Sequence, residues 1–133
     1  TNWHWSLTDA GSAAFVKSFG TKYGFPPSQA AHTVYCQTLL YADACERAGT
    51  HNPCGVGEAL EGFEFDGLGN GKTIYRADDH QCFKDVLVVK GKDNPTSEFD
   101  LLEVVEITPA EQVTYDPNHP MFAGGNLGQC NAG

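Results

Sequence analysis

The stretch Arg-Ala-Asp-Asp-His-Gln-Cys at residues 76–82 gathers two carboxylates, an imidazole and a thiol within seven positions. Those are the side chains of a metal site or of an acid/base pair. If the stretch is extended, successive side chains point to opposite faces, so Asp79 and His80 cannot share an ion, whereas His80 and Cys82 can. Two donors are too few for zinc, and His4, His32, His51 and His119 are not placed at ligand spacing. No Cys-x-x-Cys pair occurs either. A lone imidazole beside a carboxylate is more often a hydrogen-bonded structural pair than a catalytic one. The expectation is therefore no metal and no acid/base chemistry here.

A second candidate chemistry begins at Thr1. An N-terminal threonine can serve as a nucleophile with its own α-amine as base. Such hydrolases also need an oxyanion hole within a sandwich of sheets, and nothing downstream reads that way.

Five cysteines, Cys36, Cys45, Cys54, Cys82 and Cys130, point to an oxidising compartment and leave one thiol unpaired. Cys36 and Cys45 lie on one helix, about 900° of rotation apart, and face opposite sides. Cys45 with Cys54 across a short loop is the first expected disulfide, Cys82 with Cys130 the second, tying down a Gly/Pro-rich tail. Cys36 is then a free buried thiol. The competing reading keeps all five reduced in the core.

The elements that must position these groups follow from periodicity. The 133 residues suit a single domain, and a net charge of −9 with no Lys/Arg cluster excludes nucleic acid and anionic lipid as partners. No apolar run approaches the roughly 20 residues of a bilayer span, and residues 1–11 do not read as a signal peptide. The absent initiator Met and a start within an apparent strand suggest a piece of a longer chain. Residues 2–7 alternate, with Trp3, Trp5 and Leu7 on one face. Residues 8–12 read as a turn, and Phe15, Phe19 and Tyr23 mark a helix from Ala13 to Tyr23 stopped by Gly24. Ser28 caps a long helix with the stripe Ala31, Val34, Tyr35, Thr38, Leu39, Ala42 and Cys45, ended by Gly49. Asn52 and Pro53 open a short helix with Val56, Ala59 and Leu60 inward. "FDGLGNGKTIYR" is turn-rich and then extended. Val86 to Val89 reads as a strand buried on both faces, and "LLEVVEI" as another. Prolines and glycines from Thr108 onward predict an irregular tail.

The ordered string from Ala14 to Gly67 carries more information than any one motif. A Phe-rich helix leads to Tyr-Gly-x-x-Pro-Ser, then to a long helix around Tyr35 ending Ala-Gly. A short helix ending Ala-Leu-Glu-Gly and then Phe-Asp-Gly-x-Gly follow. This order resembles the C-terminal part of periplasmic substrate-binding proteins of branched-chain amino acid and amide ABC transporters, and "RADDHQCFKDVLVVKGK" is similar to the segment that follows in many of them. The resemblance runs from about Trp3 to Ile107.

It implies an α/β fold, part of a two-lobed type 1 periplasmic binding architecture whose three-layer lobes are joined by hinge strands. Residues 1–76 would supply a hinge strand and first-lobe helices, 77–107 the last hinge crossing and second-lobe strands, and 108–133 the irregular tail. Asp78 and Asp79 would anchor the crossing, with His80 and Gln81 hydrogen-bonded between lobes. Trp5, His32 and Tyr35 would line the ligand cleft. The competing readings are core packing for Trp5 and Tyr35 and a solvated position for His32. The implied function is non-covalent binding of an amino acid, an amide or a similar small organic acid, without a cofactor, for delivery to an ABC permease from the periplasm or another secreted location. A sensor or an accessory subunit on the same fold is the alternative. A piece of such a fold leaves apolar faces uncovered, so a further expected partner is the remainder of the fold.

Overall fold

The computed structural model describes residues 1–122. Helix α1 spans Ala10–Tyr23, α2 Gln29–Ala48 and α3 Pro53–Leu60. Three short strands follow, β1 Glu64–Phe65, β2 Thr73–Tyr75 and β3 Cys82–Phe83, then β4 Val86–Gly91, β5 Leu102–Thr108, the single-turn helix α4 Ala110–Val113 and a 3₁₀ turn at Pro120–Phe122. The sheets are an antiparallel β1-β2-β3 and an antiparallel β4-β5 pair.

The helix ends obey the side chains that flank them. Asp9 accepts from the Ser12 N–H at 2.9 Å and starts α1 three residues earlier than the Phe/Tyr spacing alone predicts. Ser28 accepts from Ala31 N–H at 3.2 Å, and Gly49, with φ 64°, closes α2 in the left-handed conformation that costs a glycine nothing. Asn52 accepts from Cys54 N–H at 2.9 Å with Pro53 at the first helical position.

The face that α2 buries is not the expected stripe. His32, Cys36, Leu40, Ala44 and Cys45 are buried, while Val34, Tyr35 and Leu39 are exposed, Val34 at 67%. The small side chains Ala44 and Cys45 allow α3 to approach closely, and Val56 fills the seam with Leu60 beside it. Burying a valine there contributes about 1.5–3 kcal/mol. Arg47 seals the end of the seam, with its guanidinium 3.9 Å from the centre of the Phe63 ring.

Four other expectations are corrected. Residues 1–9 form no strand: the Leu7 N–H donates to His4 O at 3.1 Å in a turn, and Trp3 and His4, neighbours in sequence, are both buried. Only Thr1 pairs like a strand, exchanging hydrogen bonds with Leu87 of β4 in both directions. Strand β4 is not covered on both faces, because Leu87 is buried while Val88 is exposed. Its register with β5 shifts between Val88 and Val89, a bulge that accommodates the extra residue. The segment after Thr108 is not wholly irregular, since the Asp85 carboxylate accepts from Ala110 N–H at 3.0 Å and starts α4. Finally, Cys45 and Cys82 are free thiols, so neither the Cys45–Cys54 nor the Cys82–Cys130 bond forms; Cys130 itself lies outside the described residues. Cys45 turns into the α2–α3 seam instead of toward the loop. Cys36 is a free buried thiol.

Candidate functional site

The Arg76–Cys82 cluster is the tip of the β2–β3 hairpin. Tyr75 pairs with Cys82, Arg76 N–H donates to Gln81 O at 2.9 Å, and His80 N–H to Arg76 O at 2.9 Å. His80 takes φ 56°, the left-handed conformation that lets the chain reverse here. Arg76 grips both oxygens of Asp79, at 2.9 and 2.5 Å, and this bond holds the Asp79 carboxyl below the usual carboxylate range. Asp79 is thus tied to Arg76 within the turn. His80 meets Glu61 at 2.7 Å and Gln81 meets Arg76, so the partners of both lie in the preceding segment and not in a strand of another layer. Among the described residues no three His, Cys, Asp or Glu side chains group as metal ligands.

A denser polar node lies where α1, α2 and the Asp66–Gly71 loop meet. Trp3 and His32, each 1% exposed, stack with ring centres 4.3 Å apart and planes 5° from parallel. The Trp3 indole N–H donates to Ser12 Oγ at 2.9 Å, and His32 Nε2–H donates to Leu68 O at 2.7 Å. Burial drives the His32 pKa down, more than the Leu68 bond raises it, so the ring is neutral at pH 7. Cys36 Sγ sits 3.4 Å from His32 Nε2, and burial raises the thiol pKa. Two glycines permit this approach: a Cβ on Gly11 would stand 2.7 Å from Gly69 N, and one on Gly69 3.0 Å from Ser12 N. Next in the loop, Asn70 at φ 60° donates to Asn2 O and, at 2.8 Å, to Asp85 O. The loop therefore joins the amino-terminal segment, both long helices and the entry to β4. Its sequence, Gly-Leu-Gly-Asn-Gly, gave notice of turns but not of these long-range partners.

Three of the grooves among the described residues bear on the expected ligand contacts or on the hairpin. One of about 330 Å³ runs between the amino-terminal segment, the start of α2 and the β4–β5 hairpin, and is lined by His4, Trp5, Ser28, Val89, Phe99 and Leu101 among others. A second of about 540 Å³ lies between α1 and α2, lined by Phe15, Phe19, Tyr23, Val34 and Tyr35. A third of about 630 Å³ flanks the hairpin, with Arg76, Phe83, Glu111 and Tyr115. Of the expected ligand contacts, Trp5 lines the first groove and Tyr35 the second, where it stacks on Phe15 at 4.6 Å. His32 lines none of these three, being buried between Trp3 and Leu68. The structure does not bring the three together. The first groove has the mixed lining expected of a small-molecule site, apolar walls with a few polar groups, and its walls come from three separate parts of the chain.

The sequence profile described as periplasmic binding protein matches residues 1–96. The chain belongs to the periplasmic binding protein family. Solved structures agree with it in fold. An amino acid ABC transporter substrate-binding protein from Pseudomonas fluorescens Pf-5 shares 25% identity with a TM-score of 0.71, over 80% of this chain and 29% of that one. A branched-chain amino acid ABC transporter periplasmic ligand-binding protein from Burkholderia xenovorans LB400 shares 25% identity with a TM-score of 0.73, over 84% and 30%. A periplasmic binding protein from Burkholderia mallei shares 24% identity with a TM-score of 0.70, over 86% and 30%. No curated protein sequence matches.

This periplasmic binding protein chain thus spans about 30% of the length of the structures it resembles. Its mixed helices and strands are part of the type 1 periplasmic binding fold, as the motif order implies. In this family context Thr1 is a pairing residue for β4 through its main chain, while its hydroxyl donates to Trp3 O at 3.1 Å. No helix of the described residues is long and apolar enough to cross a membrane.

Proposed function

We propose that the chain forms part of a protein that binds an amino acid, an amide or a similar small organic acid without covalent chemistry and delivers it to an ABC permease from the periplasm. The observation that carries this reading is the family match across residues 1–96, which includes the segment bearing Trp5. The 330 Å³ groove supports it: a half-buried indole beside apolar walls suits the body of a small organic molecule. Because the groove is walled by the start of α2 on one side and by the β4–β5 hairpin on the other, a bound molecule would bias how these two parts sit together. That is the physical content of a ligand-selected closed form. The Asp79, His80 and Gln81 turn, braced by Arg76, would move as one piece during closure.

The exposed Val34, Tyr35 and Leu39 on α2, with Val105 and Ile107 on β5, make the remainder of the fold the first partner. The test is native mass spectrometry of the intact protein taken directly from its producing cells. A retained small organic molecule, released on denaturation, supports the reading. A preparation free of ligand that also fails to take up any amino acid or amide speaks against it.

A further inference from the structure

Outside the residues that the motif order singles out, one side chain in the Trp5 groove stands apart. His4 lines the groove yet is only 9% exposed, and it follows Trp3, whose ring is locked against His32. Its Nδ1 is occupied on both counts by Ser6, whose hydroxyl lies at 2.8 Å and whose backbone N–H donates at 3.3 Å. A backbone N–H can only donate, so Nδ1 accepts and the ring proton sits on Nε2. That Nε2–H has no hydrogen-bond partner among the described residues. Among the described residues Asn2 Oδ1 is the one fully enclosed polar side-chain atom without a partner, so Nε2–H is reached by water and can donate to an acceptor that enters the groove. Burial also lowers the His4 pKa, with Lys92 acting in the same direction and Asp100 opposing, so at pH 7 the group is a neutral donor. The two charged neighbours do not compete for it. Asp100 is spent on Lys92 at 2.5 Å and on Thr96 at 2.7 Å.

We propose that His4 fixes the polar end of the ligand: its Nε2–H donates to an oxygen acceptor, carboxylate or carboxamide, while the compact apolar body of that ligand packs on Trp5 and Leu101. This rests on the ligand-binding reading above and adds to it the contacting residue and the chemistry of the contacted atom. The indole and the aliphatic wall recognise the body, and the imidazole orients the head. The two requirements together select a short apolar acid or its amide over an amine of the same shape, because an ammonium head offers no acceptor to Nε2–H.

Calorimetric titration of the intact protein with L-leucine, isocaproamide and isopentylamine tests this. Binding of L-leucine, isocaproamide or both, with isopentylamine inert, is expected. His4→Phe should then weaken that binding about tenfold or more, the value of one well-placed hydrogen bond. His4→Asn, which keeps a donor, should recover part of the loss, and its melting temperature reports whether the fold tolerates the change. Unchanged affinity in His4→Phe together with loss of binding in Trp5→Ala overturns the role of His4 and leaves the groove as the site. Isopentylamine binding as tightly as the other two overturns it as well. No binding of any of the three to the parent protein contradicts the ligand-binding reading and takes this inference with it.

Discussion

The Trp3 indole lies flat on the His32 imidazole, ring centres 4.3 Å apart, with each ring hydrogen-bonded outward, Trp3 to Ser12 and His32 to Leu68. This stack fastens the amino-terminal segment to α2 and to the glycine-rich loop at once. The groove that holds Trp5 is therefore set by a rigid base two residues away.

Removing the base should cost stability more than it costs recognition. His32→Ala is expected to destabilise the protein by about 2–4 kcal/mol, combining a lost ring with an unpaired Leu68 carbonyl. His32→Phe keeps the ring and should cost about 1–3 kcal/mol, the carbonyl alone. Urea unfolding of both variants gives the comparison. Equal losses would mean that the stacked ring contributes nothing beyond its hydrogen bond.

Acid should weaken the same region. The folded pKa of both His4 and His32 lies below the ordinary imidazole value, in each case first through burial. The unfolded state then binds more protons than the folded one, so the stabilisation is complete above about pH 6.5 and is lost as pH falls through the folded pKa. Melting temperature should drop between about pH 7 and pH 5, and the drop should shrink in His32→Phe. A flat profile in the parent protein would contradict the burial of both rings.

Glycines in helices offer a sharper contrast. Alanine normally improves a helix over glycine by about 1 kcal/mol. At Gly57 in α3 the space is open, and Gly57→Ala should stabilise. At Gly11 in α1 a Cβ would strike the Gly67 carbonyl and Gly69 N, so Gly11→Ala should destabilise by about 1–3 kcal/mol despite the better helix former. Thermal melts of the pair test it, and a stabilising Gly11→Ala would show that the loop does not dock there.

Much of this was legible in the chain. Ser28 and Gly49 bound α2 as their chemistry requires, because caps act within a turn of themselves. The burying face of α2 was not legible. Both the stripe through Val34, Tyr35 and Leu39 and the stripe through Cys36, Leu40 and Ala44 are apolar, and only docking partners decide between them. His32 read as a cleft-lining or a solvated position because nothing local announces Trp3 and Leu68, 29 and 36 residues away in the chain. The alternation of residues 2–7 suggested a strand, whereas the Ser6–His4 and Leu7–His4 bonds bend that segment into a turn and bury consecutive residues. The expected Cys45–Cys54 pairing failed for a similar reason, since the α2–α3 seam claims Cys45.

The uncovered stripe gives its own prediction. Val34→Lys should alter the stability of the 133-residue chain by less than about 0.5 kcal/mol, as at any exposed site. In a longer polypeptide carrying the rest of the fold it should cost about 2–3 kcal/mol, the loss of a buried valine and the burial of a charge. Equal effects in both would mean that α2 faces solvent in the whole protein too.

The account stands or falls most directly on reversible binding at the Trp5 groove. Isothermal titration of the intact protein against a set of amino acids and their amides should give saturable one-to-one binding to at least one of them, unaccompanied by turnover and lost in Trp5→Ala at an unchanged melting temperature. Binding that survives Trp5→Ala undiminished, or chemical conversion of the bound compound, would contradict it.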